Sequence, residues 1–322
     1  MTASTPEAVW AVVVGYNHVA DSQACLESLV AGGFPAARIV FVDNASADDS
    51  AAIIGRAFPA AVVIRLPENV GFARGYNVGM AQALAQGADF VFILNNDTVV
   101  DGHTVDRLVA EARAHPQAGI IAPKIYYYDQ PQVVWSAGCR YRRVPPAVVL
   151  RRTPTADDGR YDADPRLTFV TTCALLFPRA CLEQIGLLDP NFFILHDDYD
   201  LSIRARQAGY ALRLAPTAHL WHKVSLSTQV GTPNPFVWQQ AGRSEAIFRR
   251  RHRRAYPWLT GWAHRAYVLL RMVAEGQHYG VRPFLAGWRQ GQRAELRPVP
   301  RWNDPLLLEQ ARERIVRPPD FS

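Results

Sequence analysis

Short apolar runs and amphipathic stretches take turns along the first hundred residues. Val9–Val14, Arg38–Val42, Val62–Arg65 and Phe90–Leu94 are rich in Val, Ile and Phe, as strands buried on both faces of a sheet are. Between them, Ser22–Ala31 places Cys25, Leu26 and Leu29 on one helical face. A second helix is predicted to open at Ser46, with Asp49 at the spacing of a capping box. Ala73–Gln86 reads as a longer helix. This repetition predicts a Rossmann-like α/β fold, a mostly parallel sheet flanked by helices. Past Thr104–Ala114, a further helix, the regularity fades. Residues 123–170 predict strands and loops, and Phe169–Phe177 and Arg213–Ala215 predict strands. Asp198–Ala208 predicts a short helix closed by Gly209. From Phe236 onward the pattern becomes one of Arg-rich amphipathic helices.

Composition narrows the class. The chain has 322 residues, 49% of them hydrophobic and 20% charged, which excludes disorder as the main state. There is no apolar run of the roughly eighteen residues that a spanning helix needs. The opening MTASTPEAVWAVVVGY has no basic segment before its apolar stretch, which argues against a secretory leader. Cys25, Cys139, Cys173 and Cys181 lack paired spacing, so neither a zinc site nor a disulfide framework is expected, and a cytoplasmic setting follows. The net charge of +6 is uneven: residues 236–322 carry 16 Arg, no Lys and 7 acids, whereas the remainder is slightly acidic.

In a doubly wound sheet ligands bind at the carboxyl ends of the strands, so the polar residues there come first. They are Gly15-Tyr16-Asn17, Asp43-Asn44 and Asn95-Asn96-Asp97. Asp43 sits where a dinucleotide fold keeps its ribose acid, but GYNHVADS is not the GxGxxG turn, so another nucleotide geometry is expected. Gly71 and Arg74 open the third helix with Asn77 one turn on, a suitable start for a diphosphate site. Asp97 suits Mg²⁺ or Mn²⁺, which take oxygen ligands and leave positions for substrate phosphates. His196-Asp197-Asp198-Tyr199-Asp200 is the densest acidic cluster. Asp200, four residues before Arg204, reads as a surface ion pair on the helix. His222 and His219 are indistinguishable by residue type.

Taken in order, these motifs resemble the family 2 glycosyltransferases of the GT-A fold over about residues 8–230. The matching stretches are Val12 to Asn17, Val42 to Ser46, Asn69 to Gly79, Leu94 to Asp97, Cys173 to Tyr210 with Asp197-Asp198-Tyr199-Asp200-Leu201, and His222 with Ser227. The forms NVGFARGYN and NND look most like rhamnosyltransferases that use a dTDP-sugar. The chain departs from the pattern at Gly15, at the single acid of its metal motif and at Asp197. Gln240 to Arg243 is followed by Ser244 and not by the Trp of processive members.

The resemblance implies an inverting, non-processive transfer from a dTDP- or UDP-sugar, with L-rhamnose the best guess, to a saccharide or lipid-linked acceptor. It assigns Asp198 as base with Asp197 beside it, and Asp97 and His222 to a divalent cation. Tyr16, Asn17, Asp43, Asn44, Gly71, Arg74, Asn77 and Asn96 are assigned to the nucleotide-sugar. It divides the chain into a catalytic domain, 1–235, whose donor half is about 1–100 and acceptor half about 101–235, and an Arg-rich helical region, 236–322. That tail has an Arg249–Arg254 block followed by a stripe of Trp258, Trp262, Ala266, Leu269, Leu270 and Val273. The stripe is expected to pack on the catalytic domain; homodimerisation and peripheral contact with the inner face of the cell membrane are its alternatives, and no nucleic acid is expected. A sugar nucleotidyltransferase and a non-catalytic nucleotide-sugar scaffold remain as other functions at this point.

Overall fold

The computed structural model describes residues 8–143, 146–224, 234–254 and 258–316, with side chains for all of these except 141–143, 146–148 and 258–264. Ser227 and the start of the chain before Ala8 lie outside the described residues, and so do the side chains of Trp258 and Trp262.

The predicted alternation is present: β1 (Val9–Gly15), α1 (Val19–Ala31), β2 (Ile39–Asp43), α2 (Ser50–Ala57), β3 (Val62–Arg65), α3 (Phe72–Ala85) and β4 (Phe90–Asn95). β1 pairs in parallel with β2 and β4, and β2 with β3. The register Gly15↔Asp43↔Arg65 brings the carboxyl ends of three strands level. Successive residues of β1 point to opposite faces, so Trp10 and Val12 join a core with α3 while Ala11 and Val13 join a second core with α1 and α4. Both faces are covered, which is why the strands read as unbroken apolar runs.

The second half completes the sheet with β5 (Thr98–Val100), α4 (Thr104–Ala114), β6 (Ala118–Tyr127), β7 (Val134–Ser136), β8 (Cys139–Arg143), β9 (Pro146–Leu150), β10 (Arg166–Leu167), β11 (Ala174–Pro178), α5 (Arg179–Ile185), α6 (Asp197–Gln207) and β12 (Ala211–His222). The sheet order is β10-β12-β6-β11-β4-β1-β2-β3-β13, the last being the tail strand Ile315–Val316, with β11 antiparallel to β4 and β6 parallel to β12. Three expectations are corrected. The helix predicted at Ser46 begins at Ser50, because Asp48 and not Ser46 accepts the Ser50 amide, while Ser46 is taken up by the neighbouring loop. The strand predicted from Phe169 begins at Ala174, since Phe169 makes only an isolated bridge to Cys139. The strand predicted at Arg213–Ala215 extends to His222.

The tail forms α7 (Pro235–Arg251), α8 (Trp258–Ala274), α9 (Val281–Arg293), α10 (Pro305–Arg312) and β13 (Ile315–Val316). α7 and α9 pack at glycines: a methyl group at Gly242 would overlap the Phe284 carbonyl oxygen, and one at Gly287 that of Gln239. β13 returns to the donor half, pairing Ile315 with Ile64 on the outer edge of β3. The arginine block is largely turned inward. Arg249 pairs with Glu245 at 2.9 Å, Arg250 donates to the carbonyls of Gly291 and Ala294, and Arg251 reaches the buried Asp189 at 2.8 Å. On α8, Tyr267, Leu270 and Val273 are exposed. No helix among the described residues is long and apolar enough to cross a membrane.

Candidate functional site

Five non-glycine residues hold a positive φ among the described residues: Asn17, His18, Ala45, Leu195 and His196. Side-chain-bearing residues rarely adopt that conformation, and strain of this kind gathers at functional loops. The first three lie in the loops after β1 and β2, and the last two lead into α6. These loops hold the residues that the sequence singled out.

At the end of β2, Asp43 is fully buried. Its Oδ1 accepts the Ser46 amide at 2.9 Å, while Oδ2 lies 3.5 Å from Arg65 Nε and is buried with no hydrogen-bond partner. Asn17 locks the β1 loop against the β2 loop: its amide donates to Ser46 Oγ at 2.8 Å and its Oδ1 accepts the Ala47 amide at 2.8 Å. Tyr16 projects beside it, 49% exposed. Asp43 Oδ2 is thus a buried acceptor at the strand ends that the protein leaves unsatisfied, which marks a place for a ligand donor.

Three residues expected at the nucleotide-sugar, Asn44, Asn77 and Gly71, make their contacts within the protein in this structure. Asn44 is buried, accepts the Val70 amide at 3.0 Å and donates to Asn69 Oδ1 at 3.1 Å. Asn77 is buried and clasps the Leu188 main chain, donating to its carbonyl at 2.8 Å and accepting its amide at 2.9 Å. Both amides are spent on shaping the walls. Gly71, at φ +83°, admits the Phe193 ring so closely that a Cβ would stand 2.6 Å from it, and it serves as a packing position. Asn96 donates to Ser22 Oγ at 2.9 Å, fixing the turn after β4 to α1. Arg74 is half-buried, pairs with no acid among the described residues, and lines a cavity that includes neither Asp97 nor His222.

Asp97 and His222 come from opposite ends of the family pattern and meet here. Asp97 Oδ1 lies 3.2 Å from His222 Nε2, both side chains being nearly buried. β12 brings them together: His222 pairs with Thr98, and Lys223 donates its amide to Asp97 O at 2.9 Å. Trp135 packs edge-on against the imidazole at 4.6 Å. His222 Nδ1 is buried without a hydrogen-bond partner, and the buried Asp97 Oδ1 has only the His222 imidazole beside it. Burial works against the imidazolium, but the neighbouring Cys173 thiol and the Asp97 carboxylate outweigh it and push the His222 pKa up to about 10. A cation that takes His222 as a ligand would have to displace a proton held this firmly. No group of three or more His, Cys, Asp or Glu side chains among the described residues is placed to hold a metal. One carboxylate and one imidazole fit a cation that fills its remaining positions with substrate phosphates. His219, the decoy, is turned away and bonded to Pro216 O at 2.9 Å.

The acidic cluster separates into distinct duties. Asp197 is buried, accepts from Thr172 Oγ1 at 2.9 Å, and has its pKa raised by burial. Asp198 is half-buried, and burial followed by the charge of Asp197 lifts its pKa well above the usual carboxylate range. Asp200 is corrected from a surface pair to a buried one: it is 1% exposed, 2.7 Å from Arg204 Nε and 2.9 Å from His252 Nε2. Thr172 and Cys173 join the two halves, because Cys173 O accepts the Asn95 amide at 2.8 Å while Thr172 holds Asp197. The acid pair thus lies close to the end of β4.

Residues 6–257 match the family model for "Glycosyltransferase like family 2". The chain belongs to that family. Among curated proteins, it is 30% identical over 162 residues to an uncharacterised protein of Mycobacterium tuberculosis, covering 48% of this chain and 54% of that protein. The chain thus spans about half the length of these curated relatives. Galactofuranosyltransferase GlfT1 of Mycolicibacterium smegmatis is 25% identical, covering 67% of this chain and 71% of its own. N-acetylglucosaminyl-diphospho-decaprenol L-rhamnosyltransferase of M. tuberculosis is 23% identical, covering 67% and 76%. Two solved structures share the fold. GalNAc-T7 with UDP, GalNAc and Mn²⁺ has a TM-score of 0.56 and 17% identity over 75% of this chain and 50% of its own. The mannosyltransferase PcManGT of Pyrobaculum calidifontis, with GDP-Man and Mn²⁺, has a TM-score of 0.52 and 16% identity over 97% and 74%. The fold is that of GT-A glycosyltransferases.

For this family 2 member, sequence reasoning missed Thr172, Trp135 and His252. Thr172 lies in a loop, Trp135 in β7 and His252 at the end of α7, and only a tertiary neighbour gives each its role.

Proposed function

We propose that this chain is an inverting, non-processive glycosyltransferase that moves a sugar, best assigned as L-rhamnose, from a dTDP- or UDP-sugar to a hydroxyl of a saccharide or lipid-linked acceptor. The observation that carries the proposal is the assembly at one end of the sheet of the buried Asp43 carboxylate, whose Oδ2 accepts no hydrogen bond, the Asp97–His222 pair and the Asp197–Asp198 pair. Residues 1–235 form the catalytic unit in this reading, and residues 236–322 buttress it. The relative named as an L-rhamnosyltransferase supports the choice of sugar.

In the reaction the acceptor oxygen attacks the anomeric carbon, the bond from that carbon to the diphosphate oxygen breaks, and the hydroxyl proton passes to Asp198. The raised pKa makes Asp198 a stronger base than an exposed carboxylate, and Asp197 holds it in that state through like-charge repulsion. Asp97 and His222 would hold a divalent cation, which neutralises the charge that develops on the leaving diphosphate. Asp43 accepts from the nucleoside, and Asn17 fixes the loop that presents it.

The reading is tested by release of nucleoside diphosphate on adding acceptor, with the product's anomeric configuration read by NMR. Transfer with inversion is expected, and pyrimidine diphosphates should raise the unfolding midpoint more than GDP or ADP does. Binding without acceptor-dependent release would leave a scaffold, and a preference for GDP would remove the pyrimidine assignment.

A second expectation concerns the cation. Asp97→Ala is expected to weaken Mn²⁺ binding at least about tenfold, since it removes the only carboxylate of the pair. Affinity for Mn²⁺ should rise with pH, because His222 must lose its proton to serve as a ligand. Paramagnetic resonance titration of free Mn²⁺ reads both effects, and full transfer in excess chelator would remove the cation from the mechanism.

A further inference from the structure

One cavity is lined by none of Asp43, Asp97 and His222, although Arg74, expected at the nucleotide-sugar, forms part of its wall. It has a volume of about 450 Å³ and lies between the start of α3, the 190–193 loop, α7 and the segment after α9. Three arginines, Arg74, Arg243 and Arg297, are among the residues that line it, with a single acidic residue, Glu295. The first comes from the donor half and the other two from the tail, so only the tertiary fold gathers them. Arg243 spends one nitrogen, donating from Nη1 to Asn191 O at 2.7 Å. Burial disfavours its charge and lowers its pKa. Gln240 stands one turn before Arg243 on the same side of α7, and its Oε1 is buried with no partner. Three arginines around one half-open cavity leave an excess of positive charge over the one acid there, which an anion would offset, and guanidinium forks match phosphate oxygens.

The position of the cavity indicates which substrate supplies the anion. Asp43, Asp97 and His222 do not line it. Its wall residues Pro190, Asn191 and Phe193 belong to the loop that continues through His196 into Asp197 and Asp198. The chain segment that forms the cavity therefore also presents the acids of the acceptor side.

We propose that this cavity binds a phosphate or diphosphate group carried by the acceptor, which anchors the acceptor while its hydroxyl meets Asp198. The assignment to the acceptor rests on the functional reading above; the anion site does not. A donor diphosphate has the same chemistry, so the experiment separates the two sources.

Inorganic pyrophosphate is titrated calorimetrically into the full chain, alone and with saturating dTDP, and dTDP is titrated separately. Pyrophosphate is expected to bind the dTDP-saturated protein. Its affinity should fall about tenfold or more in Arg297→Gln and in Arg243→Gln, the scale of one charge-assisted hydrogen bond, with dTDP affinity unchanged. Arg297→Gln guards against misfolding, because the structural contacts of Arg297 with Asn191 are made by its main chain. Displacement of pyrophosphate by dTDP, or an affinity indifferent to both substitutions, overturns the proposal and returns the anion to the donor site. A chain that binds pyrophosphate through Arg297 but no dTDP keeps the cavity and removes the donor reading. One that binds dTDP but not pyrophosphate keeps the donor reading and removes the cavity.

Discussion

Asp198→Asn is expected to lower turnover by about two to four orders of magnitude, the usual worth of a general base, with donor affinity nearly unchanged. An amide keeps the size of the side chain but cannot take the acceptor's proton. Its effect on stability should run the other way. Burial and the charge of Asp197 raise the Asp198 pKa in the fold, so between the ordinary carboxylate value and that raised value the folded protein binds more protons than the unfolded chain. The charged carboxylate therefore costs stability, and the cost is fully present above the raised value. The Asn variant should unfold at a higher temperature at neutral pH, and the gain should vanish as pH falls toward the unfolded carboxylate value. In the wild type, the acid limb of kcat/KM should lie well above the ordinary carboxylate range for the same reason. Circular dichroism melts and steady-state rates across pH read both arms, and near-normal turnover in the variant would remove Asp198 from the base position.

Asp200→Ala should do the reverse, costing roughly 3–5 kcal/mol of stability, the scale for removing one partner from a buried charge pair. Burial alone would raise the Asp200 pKa, but Arg204 and His252 outweigh it and hold it below the ordinary value. The pairing thus stabilises the fold above the unfolded carboxylate value, and that contribution is lost as pH falls through the depressed folded value. Its removal strands Arg204, whose other nitrogens cap the Ile185 and Leu187 carbonyls, and His252 at the end of α7. Asp200 therefore ties α6 to the tail. Chemical denaturation of the variant measures the loss; a change below about 1 kcal/mol would mean that Asp200 behaves as an exposed pair does.

The contrast between Asp198 and Asp200 shows where sequence reading succeeds and where it stops. Both acids belong to one motif, and spacing places both near the start of a helix. Spacing also predicts the Arg204 partner, because residues four apart share a helical face. It does not predict that this face is buried, since burial depends on His252, which is remote in the chain. The intramolecular bonds of Asn44 and Asn77 were hidden from the sequence for a similar reason. An amide offers the same donor and acceptor to a ligand and to a neighbouring main chain, and only the packed fold decides which is nearer.

Local pattern was enough for the alternating strands and helices of the first hundred residues, because each buries its face by a periodicity of its own. It was also enough to place acids at the strand ends, where a sheet of this kind exposes its polar residues. Tertiary structure supplied the physical basis of three things, of which only the first, the meeting of Asp97 and His222, was expected from the family resemblance. β12 carried His222 to Asp97, β13 closed the sheet edge beside β3, and α7 with the segment after α9 set Arg243 and Arg297 opposite Arg74. These contacts join residues far apart in the chain. Such contacts depend on which surfaces remain to be covered once the local elements have formed, and no short window of sequence contains that information.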